Sequence, residues 1–152
     1  MKKGIDAIGV TVVFLCHDGK GNVLLALRSQ KCRDEQGCWD IGGGALEVGE
    51  RVEYTLYREI AEEYCTSVQK VEFLGYRDVH RVLPDGVKTH WIALDFKVQI
   101  DPSNMRIGEP EKFDNLGWFT FDKLPSPLHS QLPIFFHEHK DKLRDIGDLN
   151  QF

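Results

Sequence analysis

The chain lacks any apolar run long enough to cross a bilayer, and its amino end lacks the apolar core of a secretory signal. It therefore reads as a cytoplasmic protein with no membrane association. Cysteine is sparse. Cys16, Cys32, Cys38 and Cys65 form neither a CxxC pair nor a zinc-ligand spacing, and free thiols in a reducing compartment are expected. Positive charge is also short: the formal net charge is −5. That balance excludes nonspecific binding to polymeric nucleic acid through a basic face. It does not exclude a small anionic ligand, because a bound cation can supply positive charge locally. Repeats, low-complexity tracts and linkers are absent. A length of 152 residues suits one domain over 1–152, able to bury a core.

What the chain does have is acid concentrated in one place. Glu59, Glu62 and Glu63 follow the run Gly42-Gly43-Gly44 and fall in one turn of an expected helix. Residues three and four apart share a helix face, so the carboxylates occupy an arc of roughly 100°. Like charges at that spacing repel by a few tenths of a kcal/mol per pair. A helix gains nothing structurally from bearing that repulsion, whereas a hard cation such as Mg²⁺ reverses its sign. Val52, Leu56 and Ile60 form an apolar row, with Tyr54, Tyr57, Ala61 and Tyr64 on another side, which predicts burial over much of the circumference. Arg58 is spaced to pair with Glu62.

The remaining elements are mostly strands. Residues 6–16 predict a buried strand, and Val23 to Leu27 the return strand of a hairpin across His17–Asn22. A short strand from Cys38 to Ile41 enters the glycines. Val68 to Leu83 and Val87 to Ile100 form a hairpin across Pro84-Asp85-Gly86. A loop over Asp101 to Lys112 precedes a strand at Leu116–Phe121. Pro133 to Asp145 suit a terminal helix, with His137 and His139 on its surface. Many strands with one central and one terminal helix describe an α+β domain.

Residues 44–66 resemble the Nudix box, G-x5-E-x7-R-E-U-x-E-E-x-G-U with U aliphatic. Gly44, Glu50, Arg58, Glu59, Ile60, Glu62 and Glu63 fill its positions, while Cys65 and Thr66 depart from the final Gly-U. Gly at that exit permits a left-handed cap. Cys there would cost about 1–2 kcal/mol, so another exit from the helix is expected. Trp39 before the glycines, and Gly117-Trp118-Phe119 followed by Leu124-Pro125, extend the resemblance over most of the chain. The resemblance implies the Nudix fold, a mixed β-sheet sandwiched between helices (α/β/α).

It also implies an activity: metal-dependent hydrolysis of a diphosphate bond in a nucleoside diphosphate-linked compound, most simply a nucleoside triphosphate. Two anionic partners must meet in that reaction, and metal ions neutralise charge and acidify the attacking water. Carried over position by position, the catalytic set is Arg58, Glu59, Glu62 and Glu63. The expected ligands of Mg²⁺ (Mn²⁺ as substitute) are the Gly43 carbonyl, Glu59, Glu62, Glu63 and a distal carboxylate, Glu111, with Glu109 as the alternative. Arg28, Gly44 and Glu50 are the expected substrate-binding residues. Glu50 also suits the positive end of the helix dipole. Glu47 matches an acidic position of unknown purpose. Arg33, Arg77 and Arg81 read as surface residues with a phosphate contact as the alternative. Tyr76, Trp91, Trp118 and Phe119 read as core, with base stacking as the alternative.

The competing class is a catalytically inactive Nudix module that senses a ligand. The intact glutamates and the absence of a basic DNA-binding segment favour the enzyme. A nucleotide-type small molecule is the expected partner, and the chain is open to pairing as a homodimer.

Overall fold

The computed structural model describes all residues from Met1 to Phe152. Strands β1 (Gly9–His17), β2 (Val23–Arg28), β3 (Trp39–Asp40), β4 (Gly42–Ala45), β5 (Val68–Val82), β6 (Lys88–Ile100) and β7 (Phe113–Phe119) form one mixed sheet. Its main path is β3-β2-β1-β6-β5, with β4 on β1 and β7 on β2. Helices α1 (Val52–Tyr64) and α2 (Leu132–His139) cover the two faces.

The alternation of strand side chains builds both cores from the same strands. Val12, Phe14 and Cys16 of β1 and Leu24 and Ala26 of β2 face Leu56, Ile60 and Tyr64 of α1. Their neighbours Leu15, Val23 and Leu25 face Leu132, Phe135 and Phe136 of α2. Leu56 and Ile60 are wholly buried, and burial of each contributes about 1.5–3 kcal/mol. The burial of α1 is narrower than its sequence predicts: Tyr54 and Tyr57 lie open to solvent.

The long β5–β6 hairpin forms as expected around Pro84–Gly86. Three pairings were not legible. β6 runs parallel to β1. β1 and β2 pair only at His17↔Val23, and β2 instead lies along β7. The glycines do not make a turn: Gly42–Ala45 pair antiparallel with β1. At the far end, α2 stops at His139 and a 3₁₀ turn continues over Lys140–Leu143. His139 is not a surface residue there. It is buried, and its Nε2 lies 2.6 Å from Oδ2 of Asp95.

Cys65 corrects a second expectation. It does adopt the left-handed conformation, φ 53° and ψ 39°, and its N–H donates to the Ala61 carbonyl. The loop after β6 makes this exit workable. Arg106 N–H donates to Tyr64 O and Gly108 N–H to Glu63 O, which satisfies carbonyls left free at the helix end.

Candidate active site

Helix α1 lies directly over the glycine strand. A Cβ at Gly44 would sit 2.1 Å from Cδ of Glu59, and one at Gly42 would meet the Phe14 ring at 2.0 Å and Oε2 of Glu63 at 2.6 Å. The absence of side chains at Gly42 and Gly44 is therefore what lets the Glu59 and Glu63 carboxylates reach the sheet. None of these three glycines has the positive φ that would mark a turn.

Three carboxylates converge at the exposed side of this junction. Oxygens of Glu59, Glu62 and Glu109 lie within 4.8 Å of one another. At that separation and an effective dielectric near 20, each charged pair repels by about 3 kcal/mol. Arg58 offsets part of this. Its Nε and Nη2 bind the two oxygens of Glu50 at 3.1 and 3.2 Å, and its Nη1 lies 2.9 Å from Glu59 and 3.3 Å from Glu62. The pairing of Arg58 with Glu62 is present but is the longest of these contacts. Hydrogen bonding to Glu50 above all raises the Arg58 pKa and keeps it cationic. Glu50 thus acts on the site through Arg58.

Glu63 is fully enclosed. Burial pushes its carboxyl up to about 8, against the opposing pull of Lys112. Lys112 Nζ donates to its Oε1 and sits 3.4 Å from the Gly43 carbonyl. The other oxygen, Oε2, is buried without a hydrogen-bond partner. Burial also raises Glu59, with Arg58 and Lys112 opposing. Lys112 had no signal in the sequence beyond being a lone lysine in an acidic loop.

Of the two candidate distal carboxylates, Glu109 lies with Glu59 and Glu62, and Glu111 does not. The Glu109 carbonyl accepts from the N–H groups of Lys112 and Phe113, closing a turn before β7. Next to it, Gly108 packs so closely on α1 that a Cβ would lie 1.9 Å from the Glu62 carbonyl oxygen. That close approach carries Glu109 to the acidic stripe. The Glu111 side chain is 85% exposed and faces Lys31 at 3.9 Å. Gly108 was the available clue, because a glycine in a polar loop can mark backbone packed against backbone.

A cavity of about 340 Å³ is lined by Lys112 and Gly42–Ala45, the groups that also meet Glu59 and Glu63. That volume suits a small-molecule ligand. Its walls include Trp91 and Phe135, with Arg28, Arg77 and Arg81 among its polar groups. None of these arginines is a free surface cation. Arg28 is paired with Asp34 and Asp40, at 3.2 and 3.5 Å. Arg81 binds Asp34 and Glu35. Arg77 is buried in a bidentate pair with Asp95 and lies over the Phe135 ring. Arg28, expected to contact a phosphate, does line the cavity, and its guanidinium is held there by Asp34 and Asp40. Trp91 lines the cavity, whereas Tyr76 is exposed and Trp39 and Phe119 pack edge to face. Glu47 pairs with Lys3 at the surface. All four cysteines are free.

Residues 7–139 match the NUDIX domain. The chain belongs to the NUDIX family. It is a Nudix hydrolase, of the enzyme class that acts on phosphorus-containing anhydrides. It is similar to an RNA pyrophosphohydrolase of Teredinibacter turnerae, 26% identical over 129 residues that cover 76% of this chain and 73% of that protein. Among solved structures it resembles a MutT NUDIX hydrolase from Burkholderia pseudomallei. There the TM-score is 0.76 at 29% identity, covering 88% of this chain and 98% of the other. The NUDIX domain of Shewanella oneidensis NrtR, solved with ADP ribose, shares the fold with a TM-score of 0.69. At 20% identity, it covers 94% of this chain and 90% of that one. No helix of this Nudix chain is long and apolar enough to cross a membrane.

Proposed function

We propose that this Nudix hydrolase is a divalent-cation-dependent pyrophosphatase whose substrate is a nucleoside triphosphate. The observation that carries the reading is the convergence of Glu59, Glu62 and Glu109 within 4.8 Å, joined through the glycine strand and Lys112 to a cavity with aromatic walls. Five carboxylates, Glu50, Glu59, Glu62, Glu63 and Glu109, are gathered there against two cations, Arg58 and Lys112. The unpartnered Oε2 of Glu63 adds a buried acceptor. This all-oxygen donor set fits Mg²⁺ or Mn²⁺.

The residues that would hold the cation are Glu59, Glu62, Glu63 and Glu109 with the Gly43 carbonyl. When bound, it supplies neutralisation of phosphate charge and polarisation of the phosphoryl oxygen. The chain's own groups do the rest. Arg58, anchored on Glu50, fixes the rotamers of Glu59 and Glu62. Lys112 keeps positive charge between Glu63 and the cavity and faces an incoming phosphate. The Glu109 carboxylate, unlike those of Glu59 and Glu62, is not paired with Arg58. In this reading it takes the proton from the attacking water. Trp91 and Phe135 offer apolar surfaces for a base and sugar, so the nucleoside end occupies the cavity and the phosphate chain points to α1.

A panel of nucleoside triphosphates, nucleotide sugars and dinucleoside polyphosphates with Mg²⁺ tests this. Release of pyrophosphate and a nucleoside monophosphate is expected, and turnover should stop in excess chelator. Binding without turnover of any member of the panel would instead assign a ligand-sensing module. The relationship to a named RNA pyrophosphohydrolase favours one second reading, a triphosphate at the 5′ end of an RNA. A 5′-triphosphorylated oligonucleotide cleaved faster than free nucleotides would select it. The net charge of −5 weighs against this reading, since it provides no general attraction for the RNA backbone.

A further inference from the structure

We propose that Asp78, His80 and His90 form a second cation site, separate from the glutamates, on the outer side of the β5–β6 hairpin. Its ligand class is a borderline first-row divalent ion of the Zn²⁺ type. The three side chains offer ligand atoms that all lie within 4.8 Å of one another. His80 and His90 are directly opposite in register, and their rings stack with centroids 4.1 Å apart. Asp78, two residues before His80 on the same face, places Oδ1 3.0 Å from Nε2 of His90.

The chemistry of the donors differs from that of the hydrolytic site. Imidazole nitrogen suits Zn²⁺, Ni²⁺ and Cu²⁺, whereas carboxylate and carbonyl oxygens suit Mg²⁺ and Mn²⁺. A tetrahedral zinc ion with ligands near 2.1 Å needs neighbouring donors about 3.4 Å apart. The 3.0 Å edge between His90 and Asp78 is close to that value, and the stacked His80 and His90 rings must turn so that each points a nitrogen at the ion. Two histidines and one carboxylate leave a position for water, as in open zinc sites. A strand rung is also a rigid support for ligands. The antiparallel register sets His80 opposite His90, and the His90 N–H donates to the Gly4 carbonyl on the other side of the strand, beyond the start of β1.

The position gives the site a consequence. Alternation places Asp78, His80 and His90 on one face of the hairpin. Val79, Arg81, Thr89 and Trp91, on the intervening positions, line the cavity on the other face. Metal bound across the His80–His90 rung staples β5 to β6 directly behind that wall.

The test is Zn²⁺ binding to the full chain with Mg²⁺ in large excess, which occupies the oxygen-donor site. Uptake is followed by equilibrium dialysis and by ¹H–¹⁵N spectra of the histidine rings. We expect about one equivalent of Zn²⁺ to bind, with shifts at the His80 and His90 rings. His80→Ala and His90→Ala should each weaken it at least ~10-fold, by loss of one ligand. Glu62→Gln should leave it unchanged. No uptake by the native chain, or uptake that persists in both histidine variants because the thiols take the metal, overturns the proposal. Both histidines are partly or fully exposed, so folding of the variants is not in question. The ring spectra of the native chain decide the matter without any substitution.

Discussion

Glu63 and Glu109 carry opposite lessons about where a carboxylate gets its role. Glu63 belongs to the local pattern of α1, and its place follows from helix periodicity and the bare strand beneath it. Glu109 is brought in by a loop, and its role depends on Gly108 fitting against the Glu62 carbonyl. Glu111, two residues on, has the same chemistry but faces solvent. The pair makes a clean comparison. Glu109→Gln should lower kcat on the best nucleotide by about 100-fold, the order seen when a preorganised charged group is removed from a site. Glu111→Gln should stay within about twofold of the native rate, as expected of an exposed charge. Steady-state kinetics at saturating Mg²⁺ separates them, and equal losses in both would contradict the geometry.

At the scale of elements, the junction of α1, β4 and the loop after β6 determines the site. The helix ends on a residue poorly suited to its conformation. Cys65 holds φ at 53°, which costs a non-glycine residue about 1–2 kcal/mol. Glycine removes that strain but gives the unfolded chain more freedom, an opposing effect of about 0.4–1 kcal/mol. Cys65→Gly should therefore stabilise the protein by about 0.5–1 kcal/mol, a rise in Tm of about 1–4 °C for a chain of this size. Gly108→Ala should do the reverse, because its Cβ has no room beside backbone that cannot retreat. Thermal melts followed by circular dichroism check both. If Cys65→Gly lowers Tm, the thiol's packing outweighs the backbone strain.

The whole molecule must tolerate a concentration of negative charge that only part of its own basic complement offsets. In the cation-free protein Glu63 keeps its proton up to about 8, whereas the ordinary carboxyl releases it near 4.5. Between those values the folded chain binds more protons than the unfolded one, so stability falls as pH rises. The depressed carboxyls of Asp18 and Asp145 act below 3.8, outside this window, and His17, held below its ordinary 6.5 by burial, opposes the decline only in the lower part of it. Melting temperature in chelator should accordingly decline from pH 5 to 8. Added Mg²⁺ should remove the decline, since a cation favours the ionised carboxylate. A flat profile in chelator would show that Glu63 is ionised throughout.

How much of this was legible in the sequence depended on distance along the chain. The acidic stripe and its arginine lie on one helix, so helix geometry sufficed to group them, whereas the strand that the glycines form beneath it was not legible. The β5–β6 hairpin announced itself through its Pro-Asp-Gly turn. Lys112, Glu109 and the cavity arginines come from segments far apart, joined by the β2–β7 and β1–β6 pairings, and no local period encodes those. Arg77 and His139 misled for the same reason: each reads as a surface residue until Asp95, on another element, is placed between them.

The central claim is that the α1 carboxylates hold a divalent cation and use it to open a phosphoanhydride bond. The most direct measurement is kcat for nucleoside triphosphate hydrolysis as a function of Mg²⁺, in the native chain and in Glu62→Gln. Glu62 is half exposed, so the substitution keeps the fold and removes one anionic ligand at nearly constant shape. We predict no turnover without cation, and in the variant a loss of about 100-fold together with a weaker Mg²⁺ dependence. Native turnover that persists in chelator, or a Glu62→Gln enzyme with the native rate and Mg²⁺ profile, would contradict the account.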